Sequence, residues 1–312
     1  MAEPQNPALR IEQVPLDHLR AIAESGELYA VADATDAPAV PRKVLELGPA
    51  RAVSLYRGTA EEEFWDVAPY LMRVDPVVLD WIVSTLDKER WGIFAISKAN
   101  LDTLRTHFRH FLKVQPPEGE PWFFRFYDPR VLERFLVTSS ASELRTIFGP
   151  APSFGVTGAD NPGIRIFSES VRPTTGAGMA THDLLFKIRP GHIEAFEPLI
   201  EQNFFARVSD HLRKYHAPAV ENLSDDSLLR CVAIGVTRGR KYGLTSESAL
   251  AGFVGLMFEF APNFDEHFPF QQVLRDSRIP QDKRLDVLVD NSSEGDWDEV
   301  ERRSDLNAWV KA

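Results

Sequence analysis

Thiols are almost absent from this chain: its 312 residues include a single cysteine, Cys231. No intramolecular disulfide can form, and a zinc site built on thiolates is excluded. That usage fits a reducing compartment. Positive charge is also in short supply, with 35 Lys and Arg against 46 Asp and Glu and a formal net charge of -11. Nucleic-acid binders concentrate positive charge, so no nucleic-acid partner is expected. No apolar run approaches the roughly 20 residues a membrane helix needs, and no membrane insertion is expected. The first residues, MAEPQNPALRIEQ, lack the basic segment and apolar stretch of a secretory leader. Together these absences lead to the expectation of a cytoplasmic protein.

Catalytic signatures are missing as well. There is no Gly-x-Ser-x-Gly elbow, no His-Glu-x-x-His, and no Gly-x-Gly-x-x-Gly after a strand. The stretch Gly239–Gly243 (GRKYG) has the wrong spacing for a phosphate loop and closes a helix, where such a loop should open one. Cys231 sits among Leu228, Leu229, Val232 and Ile234 and reads as a small core residue. His107 and His110 lie three apart on a helix, but no carboxylate or third histidine recurs nearby, and they read as part of a helix face. Glu61, Glu62 and Glu63 follow Thr59 as acids of a first helical turn would. The motifs give no catalytic residue, metal ligand or cofactor. Catalytic groups can converge from distant positions, so a hydrolase or transferase with an unrecognised site stays open as an alternative.

What is present is an ordinary globular composition, 44% apolar and 26% charged, in a chain long enough for two domains. Residues 1–25 read as a loose lead-in with one short helical pattern, Leu16 to Ile22. Short apolar runs at 28–32, 52–55, 67–72 and 91–96 read as strands, with Pro69 suited to a strand start or an edge. Leu101, Leu104, Phe108, Phe111 and Leu112 mark a helix with Asn100 or Ser97 as its cap. Residues 151–180, rich in Gly, Pro, Ser and Thr, read as a linker, although Ile164 to Phe167 resembles a strand. Beyond it, 184–188 reads as a strand and the pattern then turns helical. One helix runs from Phe196 to Tyr215 with Pro198 in its first turn. A second starts at Ser224, with Arg238, Arg240 and Lys241 in its last turn and Gly243 after it. A third is capped by Thr245, with Gly252 and Gly255 allowing close packing, and 291–312 reads as a polar tail. The expected fold is an α/β N-terminal lobe over 26–150, a mixed sheet with flanking helices, followed by a mainly α-helical C-terminal lobe over 181–290.

The stretch Pro121–Leu132 (PWFFRFYDPRVL) sets an arginine among five aromatics and follows it with Asp-Pro-Arg. As a strand, Trp122, Phe124 and Phe126 would cover one face and Phe123, Arg125 and Tyr127 the other, the pattern of a central strand. Arg125 would then need an internal partner, because a buried unpaired charge is costly. Asp128 is placed to cap a helix with Pro129 at its first position, and Val131, Leu132, Phe135 and Leu136 form its inner face.

Five segments in order, Leu28–Ala34, Ser54–Thr59, Ala68–Leu71, Trp91–Phe94 and Phe124–Leu132, resemble the domain of unknown function 4123. That domain is the adaptor, or chaperone, of bacterial type VI secretion, and the likeness covers about residues 27–150. The helical half, with Arg238–Leu244, resembles the C-terminal extension of many members. The resemblance implies a non-catalytic protein that binds a cognate effector in the cytoplasm and loads it on the VgrG spike protein. Arg125, Tyr127, Asp128 and Arg130 are the candidate partner-binding surface, with core architecture as the competing explanation. The C-terminal helices would either tune the choice of cargo or cover the sheet. A secreted effector is the second alternative.

Overall fold

The computed structural model describes residues 6–86, 90–157, 163–170 and 185–309. Two units emerge, Met1–Glu197 and Pro198–Ala312. The first carries strands β1 (Leu9–Val14), β2 (Leu28–Asp33), β3 (Ala52–Ser54), β4 (Pro69–Arg73), β5 (Gly92–Ile96), β6 (Lys113–Gln115), β7 (Trp122–Phe123), β8 (Ser153–Thr157), β9 (Ile164–Glu169) and β10 (Phe186–Lys187). Its helices are α1 (Leu16–Ser25), α2 (Val40–Leu47), α3 (Thr59–Glu63), α4 (Pro76–Thr85), α5 (Leu101–His110), α6 (Pro129–Thr138) and α7 (Ala141–Phe148). Seven strands form one sheet in the order β1-β9-β8-β5-β2-β4-β3, and every neighbouring pair is antiparallel. The expected α/β lobe is present, but among the described residues parallel pairing is confined to a small second sheet, β10-β6-β7, where β10 runs parallel to β6.

Side-chain alternation along β2 explains why this strand is central. Leu28, Ala30 and Ala32 pack on one face with Leu19, Val40, Leu79 and Ile82 of α1, α2 and α4. Tyr29 and Val31 pack on the other with Leu104, Phe108, Leu132, Phe135 and Leu144 of α5, α6 and α7. Helices therefore cover both faces, and all six residues of β2 are buried. Pro69 opens β4 at its first position, where its missing N–H is tolerated.

Three expectations about the first unit change. The lead-in is part of the sheet: β1 pairs with β9 from Leu9↔Glu169 to Val14↔Ile164. As an edge strand it is exposed from Arg10 to Gln13, which hides its pattern. The expected linker supplies β8 and β9 (residues 158–162 and 171–180 lie outside the described ones). In β8 the small Gly155 allows close approach, since a Cβ there would lie 3.3 Å from Phe94 Cβ. Trp122–Tyr127 is not a central strand. Only Trp122 and Phe123 pair with β6, forming the edge strand of the small sheet, and both are exposed.

The helix α8 (Pro190–Tyr215) begins earlier than expected because Pro190 takes the opening position, which leaves Pro198 inside it. The boundary between the units falls at that proline. The second unit continues with α9 (Ala217–Val220), α10 (Asp225–Lys241), α11 (Glu247–Glu259), α12 (Phe268–Arg275), α13 (Arg284–Asn291) and α14 (Glu294–Arg302). Ser224 caps α10 as expected, whereas α11 is capped by Ser246, one residue after Thr245. The close approach of α10 and α11 uses Gly235 and Gly239: a Cβ at Gly235 would lie 2.9 Å from Val254 Cγ2. Gly252 instead faces Leu285 of α13, 2.9 Å from its own virtual Cβ. The supposed tail is structured through residue 309. Ser293 and Asp296 form a capping box, and Trp297 stacks on Phe260 at 4.1 Å. Among the described residues no helix is long and apolar enough to cross a membrane.

Gly92 holds the centre of the large sheet. It has φ +145, and a Cβ would fall 2.1 Å from the Val31 carbonyl oxygen across the β5–β2 pair. Gly92→Ala is expected to lower stability by about 3 kcal/mol in urea unfolding. A loss below about 0.5 kcal/mol would contradict this close packing.

Candidate functional site

A cluster of charged side chains in the first unit forms where β2 ends. Asp33 closes that strand with its side chain 2% exposed. Its backbone N–H donates to the Trp91 carbonyl at 2.8 Å, and its Oδ1 accepts from the Thr35 amide at 3.0 Å. The loop after β2 brings Asp36 alongside. Arg125 reaches both acids: Nη2 donates to Asp33 Oδ2 and, at 2.6 Å, to Asp36 Oδ2. Burial is the largest influence on this pair. It holds the Asp33 carboxyl above its usual range, with Arg125 opposing the shift. For Arg125, burial is outweighed by Asp33 and Asp36, and the guanidinium is pushed further up and stays charged.

The arginine is positioned by its neighbours. Phe124 and Phe126 are buried in the core, and Phe124 N–H donates to the Leu112 carbonyl at 2.9 Å. Arg125 lies between them at the start of a tight turn, closed by Asp128 N–H donating to the Arg125 carbonyl at 3.0 Å. Asp128 then caps α6, its Oδ1 accepting from Arg130 N–H at 2.9 Å, with Pro129 at the first helical position. The same carboxylate takes two donors from the Arg130 guanidinium, Nε at 3.0 Å and Nη2 at 2.6 Å. The hydrogen bonds to Asp128, together with its charge, raise Arg130 above its ordinary value despite burial.

All four candidate surface residues therefore come together, but they face different ways. Tyr127 is 1% exposed, and burial followed by Asp33 pushes its phenol well up. Asp128 is 5% exposed and spends its oxygens on the cap and on Arg130. Arg125 and Arg130 keep about a third of their side chains in solvent, 37% and 27%.

Sequence reasoning missed Asp33 and Asp36, which lie 92 and 89 positions from Arg125. The available signal was an acid ending a wholly apolar strand. It also missed how α5 shapes the adjoining loop. Arg105 donates to the Ser54 carbonyl at 2.8 Å and the Tyr56 carbonyl at 3.0 Å, and pairs with Glu61 at 3.2 Å. Arg109 donates to the Leu55 carbonyl. Arginines four apart on a helix look like a solvated face, so nothing in the pattern marked them. His107 serves the fold too, with Nε2 2.8 Å from the Ile147 carbonyl oxygen.

Beside the cluster lies a mainly apolar groove of about 470 Å3, lined by Pro38, Pro41, Leu45, Trp65 and Val67, with Arg42 and Asp66 also in its wall. Leu45 is 78% exposed and Trp65 52%. Its walls are tied down by Tyr70 OH donating to the Trp65 carbonyl at 2.6 Å and Thr35 Oγ1 donating to the Val67 carbonyl at 3.2 Å.

The second unit has its own buried pair. Arg238, expected in the last turn of α10 as a complement to the helix dipole, is 8% exposed and binds Asp265 at 2.9 Å and Glu266 at 2.6 Å. Tyr242 OH donates to Asp265 at 2.9 Å, and burial with that acid pushes its phenol up to about 12. Arg238 and Tyr242 thus form an internal brace on Asp265. Cys231 is half-buried, and burial raises its thiol. Among the described residues, no group of three or more His, Cys, Asp or Glu could hold a metal ion.

Residues 28–146 match the family model of the domain of unknown function DUF4123. The matched segment begins at β2 and ends inside α7, so it includes Asp33, Asp36, Arg125, Asp128 and Arg130. No curated protein and no solved structure matches the chain.

Asp128→Ala is expected to cost about 1–2 kcal/mol in thermal unfolding, from loss of the cap and of the Arg130 clamp. Asp128→Ser should recover the capping share and leave the rest lost. Equal stability of the alanine and serine variants would mean that the cap carries no energy here.

Proposed function

We propose that this chain is a non-catalytic adaptor that binds a type VI secretion effector in the cytoplasm and carries it to the VgrG spike. The geometry that supports the reading is the pairing of a rigid charge cluster with an exposed apolar groove. The acids and arginines of the cluster are engaged with one another and with the backbone. They brace a surface more readily than they transfer protons. The groove beside them offers Leu45, Trp65 and Val67 to solvent in one place, which suits burial against a protein partner. The secretion role rests on the resemblance of the five segments, and the family match over 28–146 overlaps them.

Co-expression with a genetically linked effector and spike provides the test. Recovery of both partners with the tagged chain is expected. Trp65→Ala should keep the fold, since the side chain is half-exposed, and should weaken capture of the effector by about tenfold or more. Recovery of neither partner by a folded chain would overturn the adaptor reading. Full capture by Trp65→Ala would move the contact away from the groove.

A further inference from the structure

Among the described residues the sheet has an open edge whose chemistry is complementary to itself. β1 is the terminal strand beside β9, and Arg10, Ile11, Glu12 and Gln13 are all exposed. The direction of its backbone groups follows from the register. Ser170 N–H donates to the Ala8 carbonyl at 2.9 Å, so Ala8 faces β9. Antiparallel pairs alternate, so Arg10, Glu12 and Val14 also direct their backbone groups toward β9. Leu9, Ile11 and Gln13 direct theirs outward. Of these, the Leu9 N–H is already bound to the Asn6 carbonyl at 3.0 Å. The Leu9 carbonyl and both backbone groups of Ile11 and Gln13 face the open edge.

We infer that β1 is a dimerisation edge, pairing antiparallel with β1 of a second copy about a two-fold axis at Ile11. In that register the two Ile11 residues exchange both backbone bonds, and each Gln13 N–H meets the other copy's Leu9 carbonyl. All the outward amides of the pair are used, and the Leu9 N–H that is already occupied is not needed. The side chains fit the same register. Ile11, 49% exposed, meets its own copy. Arg10 lies opposite Glu12 of the second copy, and Glu12 opposite Arg10, in closely spaced non-hydrogen-bonded pairs.

Charges on an edge strand ordinarily discourage pairing, and a lysine or an arginine alone would repel its symmetry mate. Here the opposite signs flank an apolar centre, so the two-fold axis turns them into two attractive pairs. Within one chain the Arg10 and Glu12 side chains already join as a pair, 63% and 48% exposed. The dimer would extend that pair into a four-membered ring of alternating charge. The interface is one strand wide, at the small end of interface sizes, where association is weak and reversible. It uses no residue of the groove.

Sedimentation velocity on the full chain across the micromolar range tests the inference. A concentration-dependent dimer is expected. Arg10→Glu and Glu12→Arg should each weaken it by about tenfold or more, because both cross-strand pairs become repulsive. The double variant Arg10→Glu/Glu12→Arg should restore it. An equimolar mixture of the two single variants should form the heterodimer, with opposite charges again facing. A wild-type chain that stays monomeric overturns the inference, as does an edge filled only by another protein's strand. A dimer indifferent to both charge reversals overturns it equally.

Discussion

The first unit depends on one ion pair across a long sequence separation. Arg125 joins Asp33, at the end of the central strand, to the turn that launches α6. The Asp33 carboxylate is almost fully buried, and an isolated charge there would cost several kcal/mol. Arg125 offsets that cost, and the Thr35 amide supplies a further donor. In return the turn is held in place, so Asp128 can cap α6 and orient Arg130. Helix α6 then presents Leu132, Phe135 and Leu136 to the face of the sheet that Tyr29 and Val31 also line. Strand end, turn, cap and core packing form one chain of dependence.

That dependence bears on the proposed binding surface. A cluster whose charges satisfy one another fixes the loop after β2, and the same loop supplies Ala34, Thr35 and Pro38 to the groove. In the proposed adaptor role, rigidity there would lower the entropic cost of binding a partner, since little would have to be ordered on contact. The groove supplies apolar area and the cluster supplies its shape.

Much of this was legible in the sequence where local chemistry decides. Asp128-Pro129 announces a capped helix, and Asn100 with the stripe from Leu101 to Phe108 announces another. β2 could be read because both its faces are covered, which leaves an unbroken apolar run. Elements escaped where distant contacts decide. β8 carries the Gly, Ser and Thr of a loop, yet the sheet takes it in because Gly155 lets Phe94 and Ile166 approach, whereas Ile164 to Phe167 of β9 already resembled a strand. Trp122–Tyr127 alternates like a strand, but the turn that places Arg125 against Asp33 breaks it after Phe123. Arg238 looked like a dipole-complementing cation because its partner, Asp265, lies beyond the next helix. Of the candidate site, Arg125's need for a partner could be derived. The partner's identity could not.

The central claim, that Arg125 and Asp33 act as one structural unit, is tested most directly by a double-mutant cycle. Arg125→Met, Asp33→Asn and the double variant would be unfolded in urea under the same conditions. Each single variant is expected to lose about 3 kcal/mol, because each leaves a charge uncompensated or a partner idle. The double variant should lose less than their sum by about 2 kcal/mol. Single losses that add to within about 0.5 kcal/mol would contradict the account, since two independent sites behave that way.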